Sequence, residues 1–209
     1  MPAIPDTLTE PMERAASTFS EAEMAFLLTG LVIPRVVGWI STLSATGVPN
    51  LAPYSFFTVA STDPPHLLFS CAQPTKDSVV NARATGQFVV NIADQALVDQ
   101  LVRTGAAVAS STDEFRYAGL ATAPSVRVRP LRVAAAKAHL ECEVRQIVPV
   151  GTSQLVIGEI VHVHVDPSIW ANGRVQAAQL NPVARLGGSQ YAALGEIFNR
   201  AIPAVNDRG

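Results

Sequence analysis

The segment TKDS, residues 75–78, is the main candidate for anion binding in this sequence. It stands at the predicted start of a helix, where free backbone N–H groups and the positive end of the helix dipole attract an anion. Lys76 adds a positive charge, and Thr75 and Ser78 add hydroxyl groups. An ordinary capped helix explains the same residues, because Asp77 in the first turn stabilises a helix by itself. The motif alone favours the capped helix, so the neighbouring elements must decide whether TKDS also binds an anion.

A strand-rich stretch precedes this helix, and its polar side chains form the second candidate set. Ser41 and Thr42 end one predicted strand, and the segment Asn50–Phe56, which includes Ala52, Tyr54 and Ser55, alternates polar and aromatic side chains. In a barrel this pattern would place hydroxyl groups and edge amides beside an aromatic slot. The aromatic residues could equally belong to a core or an interface, as strand aromatics usually do. The strands and the helix start together suggest a site for a flat, phosphorylated ligand.

Metal and nucleophilic chemistry have weaker support. His162 and His164 share one face of a predicted strand, with Asp166 nearby, and could bind a metal ion. A structural role is favoured, because no further His or Cys pair at ligand spacing accompanies them. Cys71 has no histidine at a motif spacing, and the GxSxG and GxGxxG motifs are absent. We therefore predict no metal site and no catalytic side chain, and a nicotinamide would not be held in the Rossmann manner.

Arg185 is the last candidate, in the segment NPVARLGGS near the C-terminus. Its guanidinium suits phosphate or carboxylate, and the adjacent Gly-Gly pair could let the backbone approach a ligand or a neighbouring subunit closely. A plain surface turn is the alternative interpretation.

The elements that must position these residues are predicted to be mostly strands. Hairpins dominate without a regular βαβ rhythm, which favours an antiparallel barrel with helical additions over a Rossmann sheet. The first two strands should form a hairpin, and so should the last two. The prolines of the DPP triplet, residues 63–65, cannot continue a sheet ladder, so a new strand begins after them. The predicted strands are Arg35–Leu43, Asn50–Ser61, His66–Ala72, Gln87–Ala93, Lys137–Pro149 and Ser153–Val165.

The predicted helices are short. Ser20 is the expected N-cap of the first, with Glu23 at its third position, and Thr75 is the expected N-cap of the second, which ends at Gly86. The stretch Thr104–Val128 is rich in Ala, Ser, Thr and Gly and is interpreted as a long surface excursion. Residues Met1–Ser17 are expected to form a loosely ordered arm. The predicted helices are Ser20–Leu28, Thr75–Thr85, Ala96–Arg103 and Tyr191–Ala201.

The composition points to an apolar protein with a covered surface. The 209 residues suit one domain; they are 48% hydrophobic and 15% charged, with a mean hydropathy of +0.25. A soluble monomer carries about a quarter charged residues, so we expect another subunit to cover some apolar surface. The formal net charge of −2 lacks the basic excess that binding to nucleic acid requires.

A cytoplasmic location is expected. The apolar run Met24–Pro34 is too short to span a bilayer and is broken by Thr29 and Gly30, so no membrane association is predicted. The first residues, MPAIPDTLTE, carry acids where a signal peptide would carry basic residues. The two cysteines, Cys71 and Cys142, form no CxxC pair and are interpreted as reduced core thiols.

Four motifs, taken in order, resemble the flavin reductase-like family with the FMN-binding split barrel. They are PRVVGWIST, GVPNLAPYSFF, SxDPPHLLFS and TKDSVVNARATGQFVVN; HLECEVRQIVPVGTSQLVIGEIVHVHVD and LNPVARLGGSQY also look like that family's later hairpin and tail. The likeness covers about Leu28–Ile202. The sequence has Val36 and Gly38 where relatives often carry Pro and Ala, and neither change removes a polar contact. The chain is therefore predicted to be a single flavin reductase-like domain over residues 1–209.

The resemblance implies a mainly β, antiparallel split barrel that forms a homodimer and binds FMN non-covalently at the subunit interface. The tail, residues 181–209, is expected at that interface, with Arg185 contributing to the flavin site or the dimer contact. The other implied flavin contacts, carried over by position, are Ser41, Thr42, Asn50, Ala52, Tyr54, Ser55, Phe56, Lys76, Asp77 and Ser78.

The function implied by the resemblance is that of an FMN-dependent NAD(P)H:flavin oxidoreductase. Hydride transfer to a flavin needs stacking and alignment, and the cofactor carries the chemistry, so no catalytic dyad is required. The electrons would pass to a free flavin, a partner monooxygenase or another acceptor. Two alternatives stay open: an FMN-binding electron carrier without nicotinamide specificity, and a non-catalytic dimeric binding protein for another phosphorylated ligand.

Overall fold

The structure, a computed structural model, describes residue 7 and residues 9–202, and its strands are mostly short. The described strands are β1 (Arg35–Val36), β2 (Gly38–Leu43), β3 (Pro49–Tyr54), β4 (Phe57–Thr62), β5 (Pro65–Cys71), β6 (Gln87–Asn91), β7 (Thr122–Ala123), β8 (Arg132–Val133), β9 (Ala138–Val150), β10 (Ser153–Val165), β11 (Trp170–Ala171), β12 (Arg174–Val175), β13 (Ala184–Arg185) and β14 (Tyr191–Ala192).

The described helices are shorter in total than the strands. The α-helices are α1 (Glu21–Leu31), α2 (Asp77–Thr85), α3 (Val98–Arg103), α4 (Glu114–Tyr117) and α5 (Ala177–Leu180). Three 3₁₀ turns accompany them, at Ala16–Thr18, Gln95–Leu97 and Pro167–Ile169. The prediction of a mainly β fold with helical additions is confirmed.

One antiparallel sheet of seven strands forms the body of the fold, in the order β3, β2, β6, β9, β10, β5, β4. The sheet curls on itself, because Tyr54 at the end of β3 packs its ring 4.8 Å from that of Phe69 in β5. A buried cluster that includes Phe69, Phe88 and Val156 fills the inner face, and α2 contributes Val79 to it. A second cluster around Trp39, with Leu51, Leu101 and Phe115 among its members, lies on the opposite face.

Both predicted hairpins are present. β2 pairs with β3 across a turn in which Gly47 takes a positive φ of 89°. β9 and β10 pair along almost their whole length, with register shifts at Ile157/Gly158 and Ile160/His162. These matches follow from strong alternation and from turn residues that lie between the strands.

The predicted strand Asn50–Ser61 is wrong as one element. The chain bends at Ser55 and Phe56, and β4 beyond the bend pairs with β5 rather than with β2. A Cβ on Gly38 would lie 2.6 Å from Cδ2 of Phe57, so the missing side chain of Gly38 makes room for the Phe57 ring. The bend brings a polar and an aromatic side chain to a corner of the sheet.

The first helices differ from the prediction mainly at their starts. Ser20 caps α1 through the predicted capping box with Glu23. Lys76, not Thr75, is the N-cap of α2, and its side chain makes no capping hydrogen bond. Gly86 ends α2 in the left-handed conformation, with φ of 71°, as glycine at this position favours.

Two other predicted elements are wrong. The stretch Thr104–Val128 is not a surface excursion, because Thr104, Glu114 and Phe115 are buried and α4 lies within it. The predicted helix Tyr191–Ala201 is absent: β14 is followed by described residues without regular structure as far as Ile202. Phe198 in this segment is 65% exposed, so no packed face supports a helix there.

The remaining expectations concern the termini and the cysteines. Residues 1–6 and 8 of the predicted N-terminal arm, and residues 203–209 of the tail, lie outside the described residues. Cys71 and Cys142 are buried free thiols. No described helix combines the length and the apolar character needed to cross a membrane.

Candidate functional site

Two cavities open side by side at the corner where β3, β5 and α2 meet. The first, of about 340 Å³, is lined by β3, the start of α2, the segment 104–110 and Glu114; we call it the polar compartment. The second, of about 500 Å³, is lined by α1, Arg35, the Ser55–Phe56 corner and Arg185; we call it the apolar compartment. Pro53, Tyr54 and Cys71 line both, so the two compartments form one continuous cleft.

The start of α2 supplies the anion-binding potential of the polar compartment. Among the described residues, no acceptor binds the backbone N–H groups of Asp77 and Ser78. Lys76, at the N-cap, lines the same cavity. Free amide groups, the helix dipole and an ammonium group together suit a phosphate.

A buried hydrogen-bond network holds α2 against the sheet, with the Asn50 side chain at its centre. Asn50 Oδ1 accepts from Thr42 Oγ1 at 2.9 Å and from Ser78 Oγ at 2.8 Å. Thr42 Oγ1 in turn accepts from Asn81 Nδ2 at 3.1 Å. Asn50 Nδ2 donates to Oε2 of Glu114. We call these five side chains the Asn50 network; it joins β2, β3, α2 and α4.

Glu114 is the acid of this network and has an unusual environment. Its Oε2 also accepts from the Leu51 N–H at 2.6 Å, on the outer edge of β3. Oε1 accepts no hydrogen bond from any described residue, and no described cation forms a salt bridge with Glu114. Burial raises the pKa of Glu114 to about 7, and the nearby charge of Asp77 adds to this rise.

Arg35 anchors the apolar compartment. The residue is 8% exposed, and its guanidinium donates to the backbone carbonyl oxygens of Thr29, Val32 and Leu186 and to Ser55 Oγ. It therefore ties the end of α1 to the Ser55–Phe56 corner and to the segment after β13. Burial and the neighbouring charge of Arg185 lower its pKa, and no described carboxylate pairs with it.

Arg185 pairs with Arg35 across the β1–β13 ladder, so two cations lie beside the same compartment. Arg185 Nη1 donates to Tyr191 Oη at 2.5 Å, its Nη2 donates to the Gly188 carbonyl oxygen, and the guanidinium lies 4.6 Å from the Tyr191 ring centroid. The contacts with β14 fix Arg185 at the rim. The compartment thus combines apolar walls with uncompensated positive charge.

The structure brings together most of the predicted site residues. Asn50, Ala52, Tyr54, Ser55, Phe56, Lys76, Asp77, Ser78 and Arg185 all line the cleft. Ser41 and Thr42 do not: both are fully buried, and Ser41 Oγ donates to the Leu131 carbonyl oxygen at 2.5 Å. Thr42 contacts the cleft only through Asn50, and the geometry gives no support to direct ligand contact by Ser41.

Several cleft residues were not predicted from the sequence. Glu114 and the segment 104–110 come from the stretch interpreted as a surface excursion, while Arg35 and α1 come from a predicted strand and a predicted helix to which no site role is assigned. The buried hydrogen bond from Trp39 Nε1 to Thr104 Oγ1, 2.8 Å long, fixes the beginning of that segment. The sequence offers one signal for this helix. Asp113 is a residue type that favours helix N-caps, and Glu114 and the aromatic Phe115 follow it directly.

A second cluster of ionisable side chains lies on β9 and β10. Ligand atoms of Glu141, His162 and His164 lie within 4.8 Å of one another. The Glu141 carboxylate accepts from three backbone N–H groups of residues 126–128 and from His164 Nε2 at 2.6 Å. Although burial opposes it, hydrogen bonding to His164 and these amides lowers the pKa of Glu141 to about 2. The occupied oxygens of Glu141 therefore hold residues 126–128 and the His164 ring to the sheet.

Comparison with solved structures defines the class of fold. Nitrilotriacetate monooxygenase component B from Bacillus cereus superposes with a TM-score of 0.88 at 32% identity, over 92% of this chain and 100% of that one. The 2-nitrobenzoate 2-nitroreductase NbaA from Pseudomonas fluorescens gives 0.86 at 27%, over 93% and 98%. A Shewanella frigidimarina protein described as a flavin reductase with a split barrel domain gives 0.81 at 21%, over 93% and 100%. The fold is therefore an antiparallel split barrel.

The family follows from the sequence match. Residues 30–179 match the flavin reductase like domain, and this chain belongs to that family. The match includes the β3 strand, the start of α2 and Glu114, whereas Arg185 lies beyond it. Family and fold together support a flavin cofactor and a flavin-related oxidoreductase activity.

We expect Asn50→Ala to destabilise the fold by about 2 to 4 kcal/mol, because it leaves Thr42, Ser78 and Glu114 without their buried partner. Urea unfolding followed by Trp fluorescence would measure the change. Asn199→Ala, at an exposed residue of the tail, is the control and should change the free energy of unfolding by less than about 0.5 kcal/mol. Equal stabilities of the two variants would show that the network does not hold the elements together.

Proposed function

We propose that the chain binds FMN non-covalently in the cleft and acts as an NAD(P)H:flavin oxidoreductase. The observation that carries the proposal is the continuity of the two compartments past Tyr54. One of them suits a phosphate and the other a flat apolar ring with polar edges. On this proposal residues 1–209 form one flavin reductase-like domain.

The residues present fit the cofactor in both compartments. Lys76 and the free N–H groups of Asp77 and Ser78 would hold the phosphate. The polar atoms of the β3 strand would face the ribityl chain and one edge of the ring, while Tyr54 and Phe56 would supply apolar contact. Arg35 and Arg185 would lie beside the ring.

FMN supplies the chemistry when bound, because its ring accepts a hydride from a reduced nicotinamide. The side chains of this protein would bind and orient the flavin and tune its reactivity. Uncompensated positive charge from Arg35 and Arg185 would stabilise the negative charge that a flavin gains on reduction. Apolar walls would exclude water around the ring, which strengthens that electrostatic effect. No side chain is required as a nucleophile or a proton-transfer group for hydride transfer itself.

We also propose that two copies of the chain form a homodimer through α1. None of the eleven residues of α1 is buried, although the helix reads EAEMAFLLTGL. Phe26 is 72% exposed and Leu31 69%, and the exposed apolar residues continue through Val32 and Ile33. A patch of this kind on one chain marks an interface. Phe26 also lines the apolar compartment, so the second copy would close the flavin site, and the apolar tail would join the same contact.

Anaerobic incubation of the purified protein with FMN and NAD(P)H tests the activity. We expect the flavin absorbance near 450 nm to bleach faster than with free FMN, because the cleft aligns the two rings. Bleaching with dithionite or a protein donor but not with NAD(P)H would instead favour an electron carrier. A colourless protein that takes up no FMN would favour a binding protein for another phosphorylated ligand. Addition of a monooxygenase as acceptor would test for a partner enzyme.

Lys76→Ala should weaken FMN binding by about 1 to 2 kcal/mol, roughly five- to thirtyfold in Kd, because a charge-assisted contact to the phosphate is lost. Flavin fluorescence quenching measures the affinity. Arg83→Ala, at the other end of α2, removes the same charge and should leave Kd unchanged. An unchanged Kd for the Lys76 variant would remove this residue from the site.

Phe26→Glu should convert the dimer to a monomer, because it places a charge in the centre of the apolar α1 surface. Light scattering after size exclusion measures the mass. Val175→Glu, at an exposed position of the small β11–β12 hairpin, is the control and should leave the dimer intact. A wild-type protein that elutes as a monomer would contradict the proposed interface.

A further inference from the structure

Glu114 is a buried acidic side chain of the polar compartment that the proposed function leaves without a role. It is 6% exposed, comes from α4 and lines the same cavity as the start of α2. One carboxylate oxygen, Oε2, accepts both of its hydrogen bonds, from Asn50 Nδ2 and the Leu51 N–H. The other oxygen, Oε1, has no donor among the described residues. Oε1 therefore opens into the cavity, and a carboxylate this little exposed, with no ion-pair partner among the described residues, is disfavoured in its charged form.

The charged and ionisable groups around Glu114 do not relieve this state. From α2, Lys76 and Asp77 act on it with opposite signs. From β3, Tyr54 contributes a hydroxyl whose pKa is raised, chiefly by burial, so it stays neutral at physiological pH. The Cys71 thiol of β5 lines the same cavity. On α4 itself, the Asp113 side chain accepts the Arg116 N–H as the helix cap. Glu114 therefore stands close to the balance between its charged and its neutral form.

We propose that Glu114 makes phosphate binding in this cleft proton-linked: the carboxylate takes up one proton from solvent when the phosphate group of the ligand occupies the start of α2. This inference rests on the proposed function, since it takes FMN as the ligand. A phosphate carries about 1.5 to 2 negative charges near neutral pH, and in the same cavity that charge repels a carboxylate. Protonation removes the repulsion, and it costs little because the protein has already brought Glu114 near its titration point.

The proton would reside on Oε1, because Oε2 is occupied by two donors. The neutral group keeps its bonds from Asn50 and Leu51 and gains an O–H that can donate into the cavity, toward a phosphate or ribityl oxygen. Glu114 would thus change from a repelling charge to a hydrogen-bond donor as the ligand binds. Its structural role at the edge of β3 is the same in both forms.

The sign of the pH effect follows from linkage. The free protein loses the Glu114 proton as the pH rises past about 7, whereas the complex retains it to a higher pH. In that interval binding must consume a proton, so affinity falls by up to about tenfold per pH unit. The phosphate of FMN titrates near pH 6, and its second ionisation works in the opposite direction at lower pH. The window above neutrality therefore isolates the contribution of Glu114.

Flavin titrations between about pH 6.5 and 8.5, followed by fluorescence quenching, test the proposal with Glu114→Gln as the central variant. Gln accepts from Asn50 and Leu51 and donates into the cavity, so it mimics the protonated acid. We expect the Kd of wild type for FMN to rise severalfold, by up to about tenfold, across the upper half of this range, and the Kd of the variant to stay flat near the low-pH value of wild type. Glu143→Gln, which removes an exposed carboxylate paired with Arg145, is the matched control and should retain the slope.

Two further measurements, riboflavin binding and calorimetry, test whether the pH dependence of the affinity requires the phosphate and whether binding takes up a proton. Riboflavin lacks the phosphate, so its weaker binding to wild type should not depend on pH in this window. Calorimetry of FMN binding in two buffers of different ionisation enthalpy should show uptake of up to about 0.9 proton by wild type at about pH 8, and of none by the Gln variant. These readouts do not depend on turnover.

The outcomes distinguish this inference from the proposed function. A wild-type Kd for FMN that is flat above neutrality, or a pH slope that survives in Glu114→Gln, overturns the role of Glu114 while FMN binding stands. Failure of wild type to bind FMN at any pH overturns both proposals. Urea unfolding of the Gln variant verifies its fold, which is expected to be retained because both hydrogen bonds to Oε2 have an acceptor in Gln.

Discussion

The candidate site depends on the Asn50 side chain, because it is the point where separate elements satisfy one another's buried polar groups. Its amide accepts from β2 and α2 and donates to α4, and each of these partners would lose a buried hydrogen bond without it. Leaving a buried donor or acceptor unsatisfied costs about 1 to 3 kcal/mol, so the elements can shift relative to one another only at considerable cost. The start of α2, the proposed phosphate site, is thereby held at a fixed distance from β3, along which the rest of the cleft is built.

The same network explains why a polar site can exist inside an otherwise apolar molecule. Below the polar compartment lie Phe69, Phe88 and Val79, which are fully buried or nearly so. Thr42, Asn81 and Ser78 are buried too, yet they hydrogen-bond to each other or to Asn50 and need no water. Polar groups that are fully paired cost little in a core and fix its geometry. Glu114 is the exception, since one of its oxygens is left for the cavity, and for this reason it is the group on which a bound anion would act.

The elements that could be predicted from the sequence are those that depend on interactions between residues close together in the chain. A helix that begins near Lys76 follows from a local helix-start pattern, and the β9–β10 hairpin follows from alternation around a turn. The bend at Ser55 and Phe56 was missed because it depends on Phe57 filling the space above Gly38, a contact across strands that no local pattern encodes. The place of Glu114 in the cleft could not be predicted from the sequence either, because its hydrogen-bond partner Asn50 lies 64 residues away in the chain. The predicted C-terminal helix is absent because its apolar residues have no packed surface among the described residues to lie against.

The exposed apolar residues of the C-terminal segment account for part of the apolar composition of the chain. The exposed residues of α1 and of the tail carry aromatic and branched side chains that water does not favour, and Arg35 links the end of α1 to the Ser55–Phe56 corner of the cleft. Any surface that packs on α1 therefore also acts on the walls of the apolar compartment, through Phe26 and through the carbonyl groups that Arg35 binds. The polar compartment has no such dependence, since the Asn50 network is complete within one chain. The proposed phosphate end of the cleft is thus built by a single chain, and the proposed ring end is the part whose shape a second copy would determine.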